Sequence, residues 1–216
     1  MNRETIRLNR NIKNSQLVVF PTDTVYSLSC LNGADGAKKI LRVKKRSVSK
    51  KFIVVFGRHD VQRIKHARLS AAKLSLFFAG YLTLVADGQS VKCINVPRLF
   101  VGDAKNRLIT TSLNVSGETH CVTAVQVKKF IAKHNQQKIF FFENIRLDPT
   151  FNFKIYRKHF GLENFDFSQF CVALDFLRKN NDVGPSLVVD TRNNAVIRQN
   201  VLIYDFLKKF ECNNMV

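Results

Sequence analysis

The sequence predicts an α/β protein in which helices flank a mixed parallel and antiparallel sheet, with residues 1–216 forming one domain. Three observations carry that prediction. Strand-length runs rich in Val, Ile and Phe are interleaved with helical patterns, and two of the runs, at 82–85 and 91–96, are close enough to pair as antiparallel neighbours. With only nine Gly and four Pro, no Gly/Ser- or Pro-rich linker separates modules. A chain of 216 residues that is 45% apolar buries roughly two thirds of its unfolded surface, which excludes a disordered tail or a small disulfide scaffold.

Taken in order, residues 1–14 carry charges every few positions and no apolar stretch, so they do not read as a secretory signal and a cytoplasmic setting is expected. Strands are predicted at 17–20, 52–56, 82–85, 91–96, 107–109, 139–142 and 187–189. The clearest helix is 35–45, where Ala37, Ile40, Leu41 and Lys44 recur on one side and Asp35 stands at the N-cap position. Further helices are predicted at 70–78, 123–133, 168–179 and 201–210. The stretch 148–182 is Phe-rich and charged, lacks strand alternation in its first half, and reads as an insertion or flap. The longest mostly apolar stretch, 75–86, contains Gly80, Tyr81 and Thr83 and is too short and polar to span a bilayer, so no membrane partner is expected. Cys30, Cys93, Cys121, Cys171 and Cys212 are odd in number and widely spaced, which predicts reduced, mostly core thiols.

Thirty-five basic against 16 acidic residues give a formal charge of +19, a field that gathers polyanions such as nucleotides and nucleic acid. Four segments concentrate chemistry. Phe20-Pro21-Thr22-Asp23-Thr24-Val25-Tyr26 follows a strand, where open α/β sheets place ligands, although a Pro-initiated turn accounts for the same residues. Eight basic residues and no acidic one lie between Lys38 and Lys51; Lys44, Arg46 and Lys50 suit phosphate oxygens, and a solvated helix face reads the same way. Residues 110–117, Thr-Thr-Ser-Leu-Asn-Val-Ser-Gly, form a hydroxyl-dense loop whose donors suit a phosphate or carboxylate, as a helix N-cap region also would. Finally, Gly184-Pro185-Ser186-Leu187-Val188-Val189-Asp190 is followed eight residues later by Arg198.

In this order the segments resemble the YrdC-like threonylcarbamoyl-AMP synthase family, whose pattern runs PTDTVYGLG, KxRP, PGPLT, VRxP, TSANxSG, PSTVVD and LR. The resemblance extends from about Leu17 to Arg198, interrupted at 148–182. It implies a twisted mixed sheet with a basic concave cavity. It also implies condensation of L-threonine, bicarbonate and ATP to threonylcarbamoyl-adenylate and pyrophosphate, the donor for N6-threonylcarbamoyladenosine in tRNA. By matching motif, Thr24, Thr110, Ser186 and Asn95 would bind threonine. Lys44, Arg46, Lys50, Ser112 and Arg198 would bind the nucleotide. Magnesium would come with the triphosphate, held by phosphate oxygens and water, so no protein metal ligand is named; His59, His66, His120, His134 and His159 show no ligand spacing. Since the reaction needs positioning and charge neutralisation, no nucleophilic Ser or Cys is sought. The implied partners are tRNA or other RNA and threonylcarbamoyl-transferase proteins.

Departures from the pattern are specific. YGLG has become Tyr26-Ser27-Leu28-Ser29, PGP has become Ala79-Gly80-Tyr81, and the arginine of VRxP, which by resemblance receives the substrate carboxylate, falls at Asn95. Alternation along 91–96 would put Val91, Cys93 and Asn95 on one strand face. An amide brings no charge to a carboxylate, so a second reading stands beside the enzyme: a non-enzymatic or weakened RNA-binding relative.

Overall fold

The computed structural model describes residues 2–33, 35–47, 51–67, 69–180, 185–193, 195–198 and 200–213. The expected class is what it has: a mixed parallel and antiparallel sheet flanked by helices. Contacts gather the chain into two compact units, Met1–Val55 with Val96–Leu147, and Phe56–Asn95 with Asp148–Val216.

The first unit contains α1 (Arg3–Lys13), β1 (Leu17–Phe20), β2 (Ser27–Leu31), α2 (Gly36–Lys44) and β3 (Ile53–Val55). After the second unit's first segment come β6 (Leu108–Ser112), α5 (Ala124–Lys133) and β7 (Ile139–Phe141). Its strands run in the order β7-β1-β2-β6-β3, with β1 parallel to β7 and the other pairs antiparallel. Alternation gives the two faces different jobs. Leu17, Val19, Leu28, Cys30 and Ile109 share a core with Ile40 and Val43 of α2 and Val127 and Phe130 of α5. Residues of opposite parity bring Ser27 beside Ser112 and Ser29 beside Thr110. Helix α1 was hidden among its charges: Leu8 and Ile12 are its fully buried apolar residues, and the Asn2 side chain caps it through Thr5 N at 2.8 Å. Asp35 stands just before α2 as expected but makes no side-chain cap, since its backbone is already helical. Thr123 does cap α5, and Gln126 returns the bond to Thr123 N.

The second unit contains α3 (Val61–Lys65), α4 (Ala71–Phe78), β4 (Leu82–Ala86), β5 (Gln89–Lys92), α6 (Thr150–Tyr156), α7 (Phe167–Asn180), β8 (Leu187–Asp190), β9 (Ala195–Arg198) and α8 (Val201–Asn213). Its strand order is β5-β4-β8-β9, with β4 parallel to β8 and antiparallel to β5. The β4–β5 turn is Asp87-Gly88, both at positive φ, the two-residue hairpin that matches strand twist. That turn sets Lys92 opposite Thr83, next to the first residue of β4, so β5 ends at Lys92 and only 91–92 of the predicted strand 91–96 is strand. Asn95 is not on a strand, and no strand-face argument places it. Gly80 at φ 84 ends α4: Gly80 N bonds Phe77 O and Tyr81 N bonds Leu76 O, a closure that needs the left-handed residue.

The stretch 148–182 supplies core rather than a cover. Phe153, Phe167, Phe170 and Leu174 are buried with Phe56, Phe77 and Phe78, and the Phe153 and Phe167 rings stack 3.9 Å apart. Each such side chain contributes about 1.5–3 kcal/mol on burial. Cys30, Cys93 and Cys121 are buried and Cys171 is half-buried, and none of these four is in a disulfide, as expected of reduced thiols. Among the described residues no helix is long and apolar enough to cross a membrane.

Candidate functional site

In the first unit the cations and hydroxyls converge on the end of β6. Helix α2 buries Ile40 and Val43, which carries the next residue, Lys44, down with them until it is 3% exposed. Its Nζ donates to Ser112 O and, at 2.7 Å, to Asn114 Oδ1, and its own carbonyl accepts from Ser116 N. Ser112 Oγ donates to the same Asn114 oxygen at 2.8 Å. Asn114 Nδ2 is spent on the carbonyls of Val115 and Glu118. These acceptors are neutral. Loss of water around the amine, followed by repulsion from Arg46, lowers the Lys44 pKa to about 8.

A left-handed turn at Lys45, φ 48, closes α2 and sends Arg46 back toward the sheet. Such a conformation costs a non-glycine residue roughly 1–3 kcal/mol. The Arg46 guanidinium donates to Thr111 Oγ1 at 3.3 Å and to Lys51 O at 2.8 Å and lies over the Phe52 ring. Its Nε is buried without an acceptor among the described residues, and desolvation lowers its pKa. Among the described residues no carboxylate pairs with Lys44 or Arg46 within ion-pair distance.

The sequence placed 110–117 in a loop. The structure instead puts Thr110, Thr111 and Ser112 inside β6, so strand geometry fixes their hydroxyls. Thr110 Oγ1 accepts from Ser29 Oγ at 2.9 Å. Ser27 and Ser29 read only as departures from a glycine pattern, and their i, i+2 spacing was the available signal that both face one way. Thr24 is half-buried in a turn whose Thr22 hydroxyl donates to Val25 O at 2.6 Å. Lys50 lies outside the described residues, as does Gly184. A cleft of about 730 Å³ in the same unit is lined by Arg42, Lys45, Lys129 and Lys133 with Glu118, and Asn114 is part of its wall.

The other three predicted residues belong to the second unit. Ser186 is 3% exposed; its hydroxyl bonds Thr83 Oγ1 at 2.8 Å, and its carbonyl accepts from Arg198 Nε and Nη2 at 3.2 and 2.7 Å. Lost hydration lowers the Arg198 pKa. Asn95 is fully buried, its Oδ1 accepting from Asn152 Nδ2 at 2.9 Å. Asn152 comes from the stretch 148–182 and was not foreseen as a partner. The sequence thus named residues that group as Lys44, Arg46, Thr110 and Ser112 in one unit and Ser186 with Arg198 in the other.

Residues 10–100 match the Sua5/YciO/YrdC family, described as telomere recombination. The structure of E. coli YciO is similar at TM-score 0.51 and 12% identity, over 93% of this chain and 92% of that one. P. abyssi Sua5 complexed with L-threonine is similar at TM-score 0.51 and 16% identity, over 87% of this chain and 50% of that one. The chain is YrdC-like in fold, and its residues 10–100 match that family's model. This YrdC-like chain spans about half the length of the P. abyssi Sua5 chains it resembles, 45% of one and 50% of another. The sequence matches no curated protein.

Proposed function

We propose that this YrdC-like chain is a threonylcarbamoyl-AMP synthase, which forms threonylcarbamoyl-adenylate and pyrophosphate from L-threonine, bicarbonate and ATP. The observation that carries the reading is the Lys44–Arg46 pair, two partly desolvated cations among hydroxyls and amides, with no carboxylate paired to either among the described residues and Arg46 Nε lacking an acceptor. Such a cradle is completed by an anion that brings its own charge, as a triphosphate does. The similarity to a Sua5 that is complexed with L-threonine agrees with threonine as the amino acid.

In this reading the threonine amine and bicarbonate give a carbamate with loss of water. A carbamate oxygen attacks the α-phosphorus, and the bond from that phosphorus to the pyrophosphate oxygen breaks. Lys44, Arg46 and Ser112 hold the phosphates and stabilise the charge of the departing pyrophosphate, with Lys50 assigned to the same nucleotide; Thr24 and Thr110 hold threonine. Magnesium accompanies the triphosphate on phosphate oxygens and water; among the described residues no group of three His, Cys, Asp or Glu is placed to hold it. The product would pass to a threonylcarbamoyl-transferase acting on tRNA.

A second reading, a non-enzymatic RNA-binding relative, is favoured by one observation. Asn95 brings no charge to a carboxylate, and it is fully buried against Asn152. Pyrophosphate release from ATP, measured with threonine and bicarbonate omitted in turn, decides between them. Release that needs both substrates supports the synthase. Release with another small amino acid moves the specificity, and no release with any amino acid leaves the RNA-binding reading.

A further inference from the structure

Strands β2 and β6 present a row of hydroxyls on one face, and one of them, Ser29, has been given no role above. Ser29 is fully buried, sits directly opposite Thr110 in the register, and lies 2.9 Å from Thr110 Oγ1 and 3.3 Å from Ser27 Oγ. A serine hydroxyl has a single proton to give. The shorter contact takes it, so Ser29 donates to Thr110, and Ser27 donates to Phe20 O at 3.4 Å. Thr110 then has an oxygen that is already accepting and a proton that no acceptor among the described residues receives.

We propose that Ser29 is a positioning residue for the amino-acid substrate: by donating to Thr110, itself 3% exposed, it leaves the Thr110 hydroxyl as a donor, matched to an acceptor oxygen of the substrate carboxylate. The inference rests on the reading that Thr110 lines the threonine pocket, and it adds a residue and a direction of hydrogen bonding to that reading. With Ser29 in place, Thr110 has little freedom to point its own proton back into the sheet. A group offering an acceptor oxygen is bonded, and a donor such as an ammonium meets an O–H that faces it the wrong way. A carboxylate is the strongest acceptor an amino acid offers, because a bond to a charged oxygen is about twice as strong as a neutral one. The row therefore discriminates by polarity without adding a charge of its own.

The test is calorimetric titration of L-threonine, and separately of ATP, into the parent, Ser29→Ala, Thr110→Val and the double variant. Loss of Ser29 should weaken threonine about three- to tenfold while leaving ATP affinity unchanged. In the Thr110→Val background the Ser29 substitution should add nothing, because its effect passes through Thr110. Ser29→Cys, near in size and a weak donor, should fall between parent and alanine and covers the case in which Ser29→Ala fails to fold. If the parent binds threonine and either Ser29 variant binds it equally well, or the double variant shows the sum of the single losses, the positioning role is wrong and the synthase reading survives. If the parent binds no threonine, both fall together.

Discussion

At the end of β6 in the first unit stand buried Lys44, half-buried Arg46 and a row of hydroxyls. Their bonds run to backbone carbonyls, one amide and one another, and donors remain over: Arg46 Nε has no acceptor among the described residues. In the second unit Ser186, Thr83 and Arg198 close on themselves, both Arg198 donors to Ser186 O being used within the unit, and Asn152 occupies the Asn95 oxygen. The difference separates bonding capacity held for a ligand from bonding capacity spent on the fold. A cluster with surplus donors and no paired carboxylate is expected to answer substitution in affinity and rate. A self-satisfied cluster is expected to answer in stability, where an orphaned partner costs the most.

The largest expected effect is at Lys44. Lys44→Met keeps an unbranched, buried side chain and removes the cation. Adenylate formation should fall at least about 100-fold, or roughly 3 kcal/mol, with little loss of thermal stability because a desolvated charge has gone too. Pyrophosphate release and a melting curve on the same sample read both, and full activity would break the comparison. Arg46→Ala removes the forked contact and should weaken ATP at least about tenfold, measured by titration. An unchanged ATP affinity would move the phosphates elsewhere.

Acidity sharpens the contrast. Burial lowers the Lys44 pKa to about 8, so the folded protein sheds this proton before the unfolded chain does. Between about 8 and the ordinary lysine value the unfolded state binds more protons, so this group's contribution to stability improves as pH rises. The anion grip moves the other way. ATP affinity should fall by about tenfold from pH 7 to pH 9, and Lys44→Arg, which keeps its proton, should flatten that limb. In the second unit the readout changes. Asn152→Ala leaves the buried Asn95 oxygen without this donor and should cost about 1–3 kcal/mol in denaturant unfolding, with ATP affinity unchanged. The smallest effect is Thr83→Val, near in shape, which loses the bond to Ser186 for about 1 kcal/mol.

Those contrasts track what the sequence could carry. Strands β1, β4 and β8 were legible because a strand buried on both faces is an unbroken apolar run. Strand β2 was not, since Ser27 and Ser29 break any apolar run directly after the segment 20–26 read as a turn motif. The 91–96 run misled because apolar residues mark burial, whereas Asp87-Gly88 decides where the hairpin ends. Motif order named Lys44, Arg46 and Ser112, which the fold brings to the end of β6. It could not show that Lys44 and Asn114, 70 positions apart, share a bond, because only folding brings them within reach. Asn152 carried no signal at all, standing in a Phe-rich stretch whose rings suggested a cover.

Asn114 has a consequence for how this charge could be lost. Both ends of its amide are committed: the oxygen takes Lys44 and Ser112, and the nitrogen gives to two carbonyls. Rotating the amide by half a turn would set donor against donor, so the local chemistry dictates its orientation. Exchanging that nitrogen for oxygen, as aspartate does, would change almost no volume. It would nevertheless give Lys44 a counter-ion, strip two carbonyls of their donors, and leave a pocket of nearly unaltered shape that no longer favours an anion. The electrical sign of this cradle is thus held by a single atom in a neutral side chain, where inspection of the cations alone would never look.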